Sequence, residues 1–401
     1  MNFLFVSRKR AIMNNVQVGG GVRSTLLIEA LSRLGQVDVI SFAKEPVEST
    51  IPNCNVIFSG ETPKRFFTRK DWFRQIFCLF FAPWSPKGYY LVNKEEESII
   101  SRYYNGKHYD YVVCHFLYDA IICGLTKYAD KLIVDVDDDM VSIAKRHYAN
   151  TPIRPFFNLI KVSWKAIMIG MMQHRLLRRI KLSFYSNASE PPYKKSVLLH
   201  NVPLLSNPSS DLSENTPMRI LFVGNIDFSP NKKGILHFVE SIFPIIKEKI
   251  PTVEINIVGL CKDQCTRLKL CSVKGVNVLG FVDCLHDEYQ NCRAVIVPIY
   301  QGAGTSIKFI EAIMMNRPII STQMGARGFN SAFQANQHYL LANNDQEFAN
   351  QVVSVLSSLD KANVMAHNAY EIGKSHFSKN YFFDVVKKSV DAISGHQTSM
   401  N

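Results

Sequence analysis

Short apolar runs alternate along the chain with longer stretches in which apolar residues recur at helical spacing, and this alternation sets the expectation for the fold. NFLFV at 2–6 and VDVISF at 37–42 read as buried strands, and Arg23–Leu34 between them carries apolar residues at helical spacing, giving one strand–helix–strand unit. Further strands are expected at Tyr111–Cys114, Leu132–Val136, Leu182–Tyr185 and Val197–Leu199, separated by helical stretches. The stretch PLLSNPSSDLSENTP at 203–217 is polar, rich in turn formers and without period, as a linker would be. A fresh alternation follows: strand Arg219–Val223, helix Gly234–Lys249, strands Glu254–Val258, Val276–Leu279 and Val295–Pro298, helix Ser306–Met315, and strand Ile319–Thr322. Alternation of this kind predicts an α/β protein with a doubly wound parallel sheet in each half, binding ligands at the carboxyl ends of the strands. A chain of 401 residues is too long for one ordinary core. Two Rossmann-like domains are expected, at residues 1–203 and 218–376, with 204–217 as linker and a last helix and tail at 377–401.

The most informative stretch is Ala294 to Phe329. An apolar strand runs into a loop with Gly302, Ala303 and Gly304, then through Thr305 and Ser306 into a helix, and then into a strand that follows Pro318. Glycines let a backbone approach an anion, and the free amides and positive dipole end of a helix start donate to it, so this order suits a phosphate. Lys308 lies in the first turn and Glu311 three residues on, which puts both on one face. A cation at a diphosphate and a carboxylate accepting from ribose hydroxyls is a coherent pairing for a sugar nucleotide.

This segment resembles the nucleotide-binding segment of glycosyltransferase family 4, retaining enzymes of the GT-B fold, in which two Rossmann-like domains face each other across a cleft. The resemblance rests on a G-x-G-T-x-x-K-x-x-E-A run, a hydrophobic strand, and Met324-Gly325-Ala326 with Gly328 close behind. It extends through Gly224-Asn225, Pro230-Asn231, Ile257-Val258-Gly259 and Leu279–Asp283, and more weakly through Gly19-Gly20-Gly21, Val112–His115, Asp135–Asp138 and His200-Asn201. It implies that Glu311 fixes the ribose and that Lys308 and Lys233 stabilise the departing diphosphate with the loop amides. It also implies that Gly224 and Asn225 line the donor side, that His115 lies beside the transferred sugar, and that the last helix crosses back onto the first domain. Two positions depart from the family pattern. The family's usual first glutamate, eight residues before Glu311, is Ala303 here, and Asn225 stands where many members have arginine.

Other residues read less sharply. Gly19, Gly20 and Gly21 follow the first strand and open the first helix, as a ligand-facing loop or a plain turn. Arg23, in that helix's first turn, is unfavourable to the dipole unless it meets an anion, so a phosphate or an acidic acceptor is expected there. Asp135, Asp137, Asp138 and Asp139 (DVDDD) have the look of a metal motif, but GT-B enzymes do without one, so helix capping and cleft lining are expected and no metal.

Composition adds the setting. A formal net charge of +12 suggests an anionic partner or a basic solvated surface. No nucleic-acid-binding motif accompanies the charge, and no run of ~18 apolar residues marks a spanning helix. Nine cysteines without a paired framework, and no secretory signal before the first strand, favour a reducing cytoplasm. Residues 64–90 and Arg154–Arg179 interleave basic, aromatic and apolar residues, either as peripheral contacts with an anionic membrane or as packed helices with snorkelling ends. The expectation is therefore a retaining transfer of a sugar from a nucleotide-diphosphate donor, without a tightly bound cofactor, to a glycan or lipid-linked acceptor in bacterial surface polysaccharide synthesis. A UDP-sugar epimerase and a non-catalytic nucleotide-sugar-binding protein are the rivals.

Overall fold

The computed structural model describes residues 1–9, 11–12, 19–62, 73, 77, 92–137, 170–171, 173–186, 195–203, 205, 207–302 and 305–395. Two compact units divide it: Met1–His200 with Phe382–Asn401, and Asn201–Tyr381. Ala303, Gly304, Asp138, Asp139 and most of residues 64–90 and 154–179, the last two expected as peripheral membrane contacts or as packed helices, lie outside the described residues.

The first unit is a seven-stranded sheet in the order β3-β2-β1-β4-β5-β6-β7. Its strands are β1 (Asn2–Ser7), β2 (Gln36–Ser41), β3 (Cys54–Ser59), β4 (Tyr111–His115), β5 (Leu132–Asp137), β6 (Leu182–Tyr185) and β7 (Ser196–Leu198). Every pairing is parallel. Phe3–Ser7 and Tyr111–His115 are buried along their whole length, because a parallel sheet is covered on both faces, and their residues are mostly apolar up to the polar carboxyl ends, Ser7 and His115. Helices α1 (Gly19–Ser32), α2 (Lys94–Asn105) and α3 (Leu117–Ile122) connect them, and α2 starts where the Asn93 side chain accepts from the Glu95 amide.

The second unit repeats the plan with six strands, β10-β9-β8-β11-β12-β13. These are β8 (Arg219–Val223), β9 (Glu254–Val258), β10 (Val276–Gly280), β11 (Ala294–Val297), β12 (Ile319–Ser321) and β13 (Leu340–Leu341). Alternate residues divide between two cores: Ile220, Phe222 and Ile296 on one face, and Leu221, Val295 and Val297 on the other. The expected α/β doubly wound sheets are thus present in both halves, each with strand order reversing between its first and fourth strands.

The expected helix Gly234–Lys249 differs in detail. It begins earlier, as α4 (Ser229–His237), because Pro230 fits a first helical turn, where its missing N–H is no loss. A π-helical turn, Phe238–Ile242, then precedes α5 (Phe243–Lys249), where Pro244 cannot donate to the preceding turn. Further helices are α6 (Gln264–Cys271), α7 (Leu285–Gln290), α8 (Ile307–Met314), α9 (Asp345–Ser357), α10 (Leu359–His376) and α11 (Lys379–Ser394). Most of α11 belongs to the first unit, where Phe383 lies under the Arg33 guanidinium and the Ser394 hydroxyl meets that of Tyr111.

Candidate functional site

Carboxyl ends of β8 and β11 flank the point where strand order reverses in the second unit, and the start of α4 and the start of α8 converge there. Gly234 allows α4 its position: a Cβ at that residue would lie 1.9 Å from the Pro298 carbonyl oxygen, so helix and strand end pack at backbone contact. Gly302, with φ +147°, takes a conformation that side-chain-bearing residues rarely adopt, and its Cβ position lies 3.5 Å from Pro230. Thr305 is held by the Asn201 carboxamide, which donates to its hydroxyl at 2.9 Å.

Lys308 is half-buried between these elements. Its Nζ donates to Asn231 Oδ1 at 2.6 Å and sits 4.7 Å from the centre of the Phe222 ring. Among the described residues Lys308 forms no ion pair. Burial pulls its ammonium down to about 7, with Glu311 opposing. Glu311 is buried one turn along α8, where its carboxylate accepts from the Tyr289 hydroxyl at 2.9 Å. Burial pushes the Glu311 carboxyl up to about 7, against the Tyr289 hydrogen bond and the Lys308 charge. Arg317, also buried, fixes this arrangement by donating from Nε to the Tyr289 carbonyl at 2.7 Å. Lys233 is exposed on α4, whereas Lys232 is engaged by Asp263. Asn225 approaches the same corner through its carbonyl, which accepts from Asn231 Nδ2 at 2.8 Å. Gly224 makes room there: a Cβ would lie 2.9 Å from Asn231 Nδ2 and 3.0 Å from Lys308 Nζ.

The corresponding edge of the first unit is built differently. Gly19–Gly21 form the first turn of α1 itself. Arg23, expected at a phosphate or acidic acceptor, is instead buried and gripped by Asp135, donating from Nε at 2.8 Å and Nη2 at 2.7 Å, with Nη1 on the Leu199 carbonyl at 2.8 Å. Asp135 is therefore an interior strand residue on β5 and not a helix cap. Its charge is the reason a cation is stable where the helix dipole disfavours one.

His115 ends β4 with only 1% of its surface exposed. Its Nδ1 lies within hydrogen-bonding distance of the Ser24 hydroxyl, and its Nε2 is 3.6 Å from Asp135 Oδ2 and 3.9 Å from Asp137 Oδ2. Burial opposes ionisation of Asp137, but the His115 ring and the Arg23 charge hold its carboxyl well below the usual carboxylate range. Phe116 stacks on the His115 ring at 3.8 Å with φ 70°, a backbone conformation that costs a bulky residue roughly 1–3 kcal/mol.

One cluster escaped the sequence reading. Glu96 is fully buried and accepts from Arg8 Nε (3.2 Å), the Thr62 hydroxyl (2.8 Å) and Asn93 Nδ2 (3.1 Å). Asp119, on α3, lies 3.8 Å from Arg8 Nη1. Its Oδ2 is buried without a hydrogen-bond partner among the described residues. Burial pushes its carboxyl up to about 6, against the pull of Arg8, Lys9 and His115. These residues stand 23 or more positions apart in places, and no local motif joins them.

Comparison with solved structures fixes the architecture. The chain superposes on sucrose-phosphate synthase from Thermosynechococcus elongatus with a TM-score of 0.69 at 14% identity, covering 98% of this chain and 99% of that one. HepE of Anabaena, in complex with UDP and glucose, gives 0.65 at 12% identity over 97% and 99%. The fold is GT-B. WaaG, a glycosyltransferase involved in lipopolysaccharide biosynthesis, shares this GT-B architecture with a TM-score of 0.63 at 12% identity over 98% and 100%. Residues 217–358 match the family Glycosyl transferases group 1, the segment that carries Lys308 and Glu311. A curated relative, an uncharacterized 44.6 kDa protein in the cps region of Klebsiella pneumoniae, is 22% identical over 298 residues, 71% of this chain and 75% of its own. Family match and GT-B fold together support a glycosyltransferase. Among the described residues no group of three or more His, Cys, Asp or Glu is placed to hold a metal, and no helix is long and apolar enough to cross a membrane.

Proposed function

We propose that this protein transfers a sugar, with retention, from a nucleoside-diphosphate donor held by the second unit to a glycan acceptor. The observation that carries the reading is the Lys308 ammonium: half-buried, held by a neutral carboxamide, and set beside a glycine loop and a helix start. A cation desolvated without a carboxylate partner is stabilised by an incoming anion, and a diphosphate fits the place and the charge. Lys233 adds a second positive charge, and amides of the Gly302–Ser306 stretch, with Ala303 and Gly304 in it, supply donors. Glu311 accepts from the ribose hydroxyls. On the first unit Gly19–Gly21, Asp137 and His115 frame the acceptor side, with the buried Arg23–Asp135 pair as their scaffold. Since the family signature's first glutamate is replaced by Ala303, hydrogen bonds to the sugar come from backbone amides or another side chain.

In the retaining mechanism the leaving diphosphate takes the acceptor's proton on the face it departs from. The carbon–oxygen bond to phosphate breaks as the bond to the acceptor oxygen forms. Lys308 lowers the barrier by stabilising charge on the departing oxygens. A uridine nucleotide is the first donor to test, because HepE of Anabaena was crystallised with UDP and with UDP-glucose. A surface polysaccharide acceptor agrees with the cps-region relative, and a lipid-linked form at an anionic membrane agrees with the net charge of +12.

Lys308→Ala tests the site. Sugar-nucleotide turnover should fall by about 10²–10³, the loss seen on removing one donor that stabilises a developing negative charge. Equal turnover in both proteins sinks the assignment, and an epimerised nucleotide sugar formed without acceptor favours an epimerase instead.

A further inference from the structure

We propose that Asn231 is the positioning residue for Lys308: its carboxamide holds the ammonium at the carboxyl edge of β8 without neutralising it, so that nucleotide binding takes up a proton. The inference rests on the nucleotide site proposed above.

Two hydrogen bonds fix the orientation of the carboxamide. Oδ1 accepts from Lys308 Nζ at 2.6 Å, while Nδ2 donates to the Asn225 carbonyl at 2.8 Å. Only an amide does both, because an aspartate at this position has no N–H for the carbonyl and would form an ion pair with the lysine. Gly224 completes the device, since any Cβ there would crowd both Asn231 Nδ2 and Lys308 Nζ.

Among the described residues, few groups face Lys308. From β8 come the Phe222 ring and Gly224, and from α4 Asn231. Lys232 is turned to Asp263 and Lys233 is exposed. Glu311 on its own helix, carrying the Tyr289 hydrogen bond, is the carboxylate that acts on it. Burial lowers the midpoint of the ammonium to about 7, against Glu311, so the ligand-free protein holds this proton less firmly than a solvated lysine does. A diphosphate in contact stabilises the charged form and draws a proton from solvent. Above that midpoint the apparent affinity should fall by up to about tenfold per pH unit. A carboxylate tether would raise the midpoint, remove the proton linkage and compete with the phosphate.

The test is calorimetric titration of the full chain with UDP, GDP and ADP from about pH 6 to about pH 9, in buffers of different ionisation enthalpy, alongside NMR titration of the Lys308 ammonium in nucleotide-free protein. Wild type should take up a proton on binding near pH 8. Asn231→Ala should weaken binding about tenfold or more, the loss expected for a hydrogen bond to a charged group. Asn231→Asp should move the Lys308 midpoint upward and abolish proton uptake, which a merely structural role would not do. The proposal is overturned if Asn231→Asp leaves the midpoint and the proton uptake unchanged. Should Lys308→Ala itself keep full nucleotide affinity, the site assignment fails; should that variant lose affinity while the Asn231 variants keep wild-type pH profiles, the positioning role alone fails. A wild type that binds none of the three nucleotides overturns both.

Discussion

Replacing Arg23 with methionine separates a scaffold role from a phosphate-binding one. In the protein the guanidinium is 3% exposed and makes two charged hydrogen bonds to an Asp135 that is wholly buried, plus a third to the Leu199 carbonyl. Methionine keeps much of the stem's packing and removes all three. It leaves a buried carboxylate whose nearest remaining polar neighbour on β4, His115 Nε2, is 3.6 Å away, beyond hydrogen-bonding distance. Breaking one side of a buried pair in this way costs roughly 3–5 kcal/mol, because the other charge is stranded. Arg23→Met combined with Asp135→Leu removes both charges and should recover most of that loss, since buried pairs are often near-neutral against apolar residues of similar volume. Two units need not unfold together, so the readout is hydrogen exchange of β4 and β5 amides, with urea unfolding as support. The single variant should lose protection in those strands, the double should regain it, and UDP affinity in the second unit should not change. A loss below about 1 kcal/mol in Arg23→Met, or a fall in nucleotide affinity with unchanged protection, refutes the scaffold reading and restores the phosphate contact.

Two further variants follow from close packing and from burial. Gly234→Ala drives a methyl into the Pro298 carbonyl, so α4 must move off β11; a loss of about 1–3 kcal/mol and weaker UDP binding through Asn231 are expected, and an unchanged melting temperature refutes the contact. Asp119 has its midpoint raised from 3.8 to about 6, so the folded state holds a proton that the unfolded chain has released, and stability falls as pH rises through that window. Asp119→Asn should remove the fall, leaving the variant about 1–3 kcal/mol more stable at neutral pH and no more stable near pH 4; chemical denaturation at both pH values decides it, and equal stability at neutral pH would count against the buried carboxylate.

Periodicity by itself determined the two sheets, because parallel strands buried on both faces must be apolar runs and their crossovers must carry helical spacing. It also brought Lys308 and Glu311 together, since three positions on one helix are neighbours whatever surrounds them. Short elements were harder. β13 spans two residues and β3 is a partly exposed edge, so neither leaves a strong apolar signature. Helical spacing points to a start at Gly234, whereas α4 starts at Ser229, because in sequence the proline that opens the helix has the look of a breaker.

What tertiary structure decided is who meets whom across distance in the chain. Arg23 and Asp135 are 112 positions apart, and Asn231 and Lys308 are 77 apart. Nothing local distinguishes an arginine awaiting phosphate from one already bonded to a buried carboxylate, nor a lysine facing an aspartate from one held by an amide. Burial and partner set the energies of these groups, and both arise only when strands distant in sequence are brought side by side.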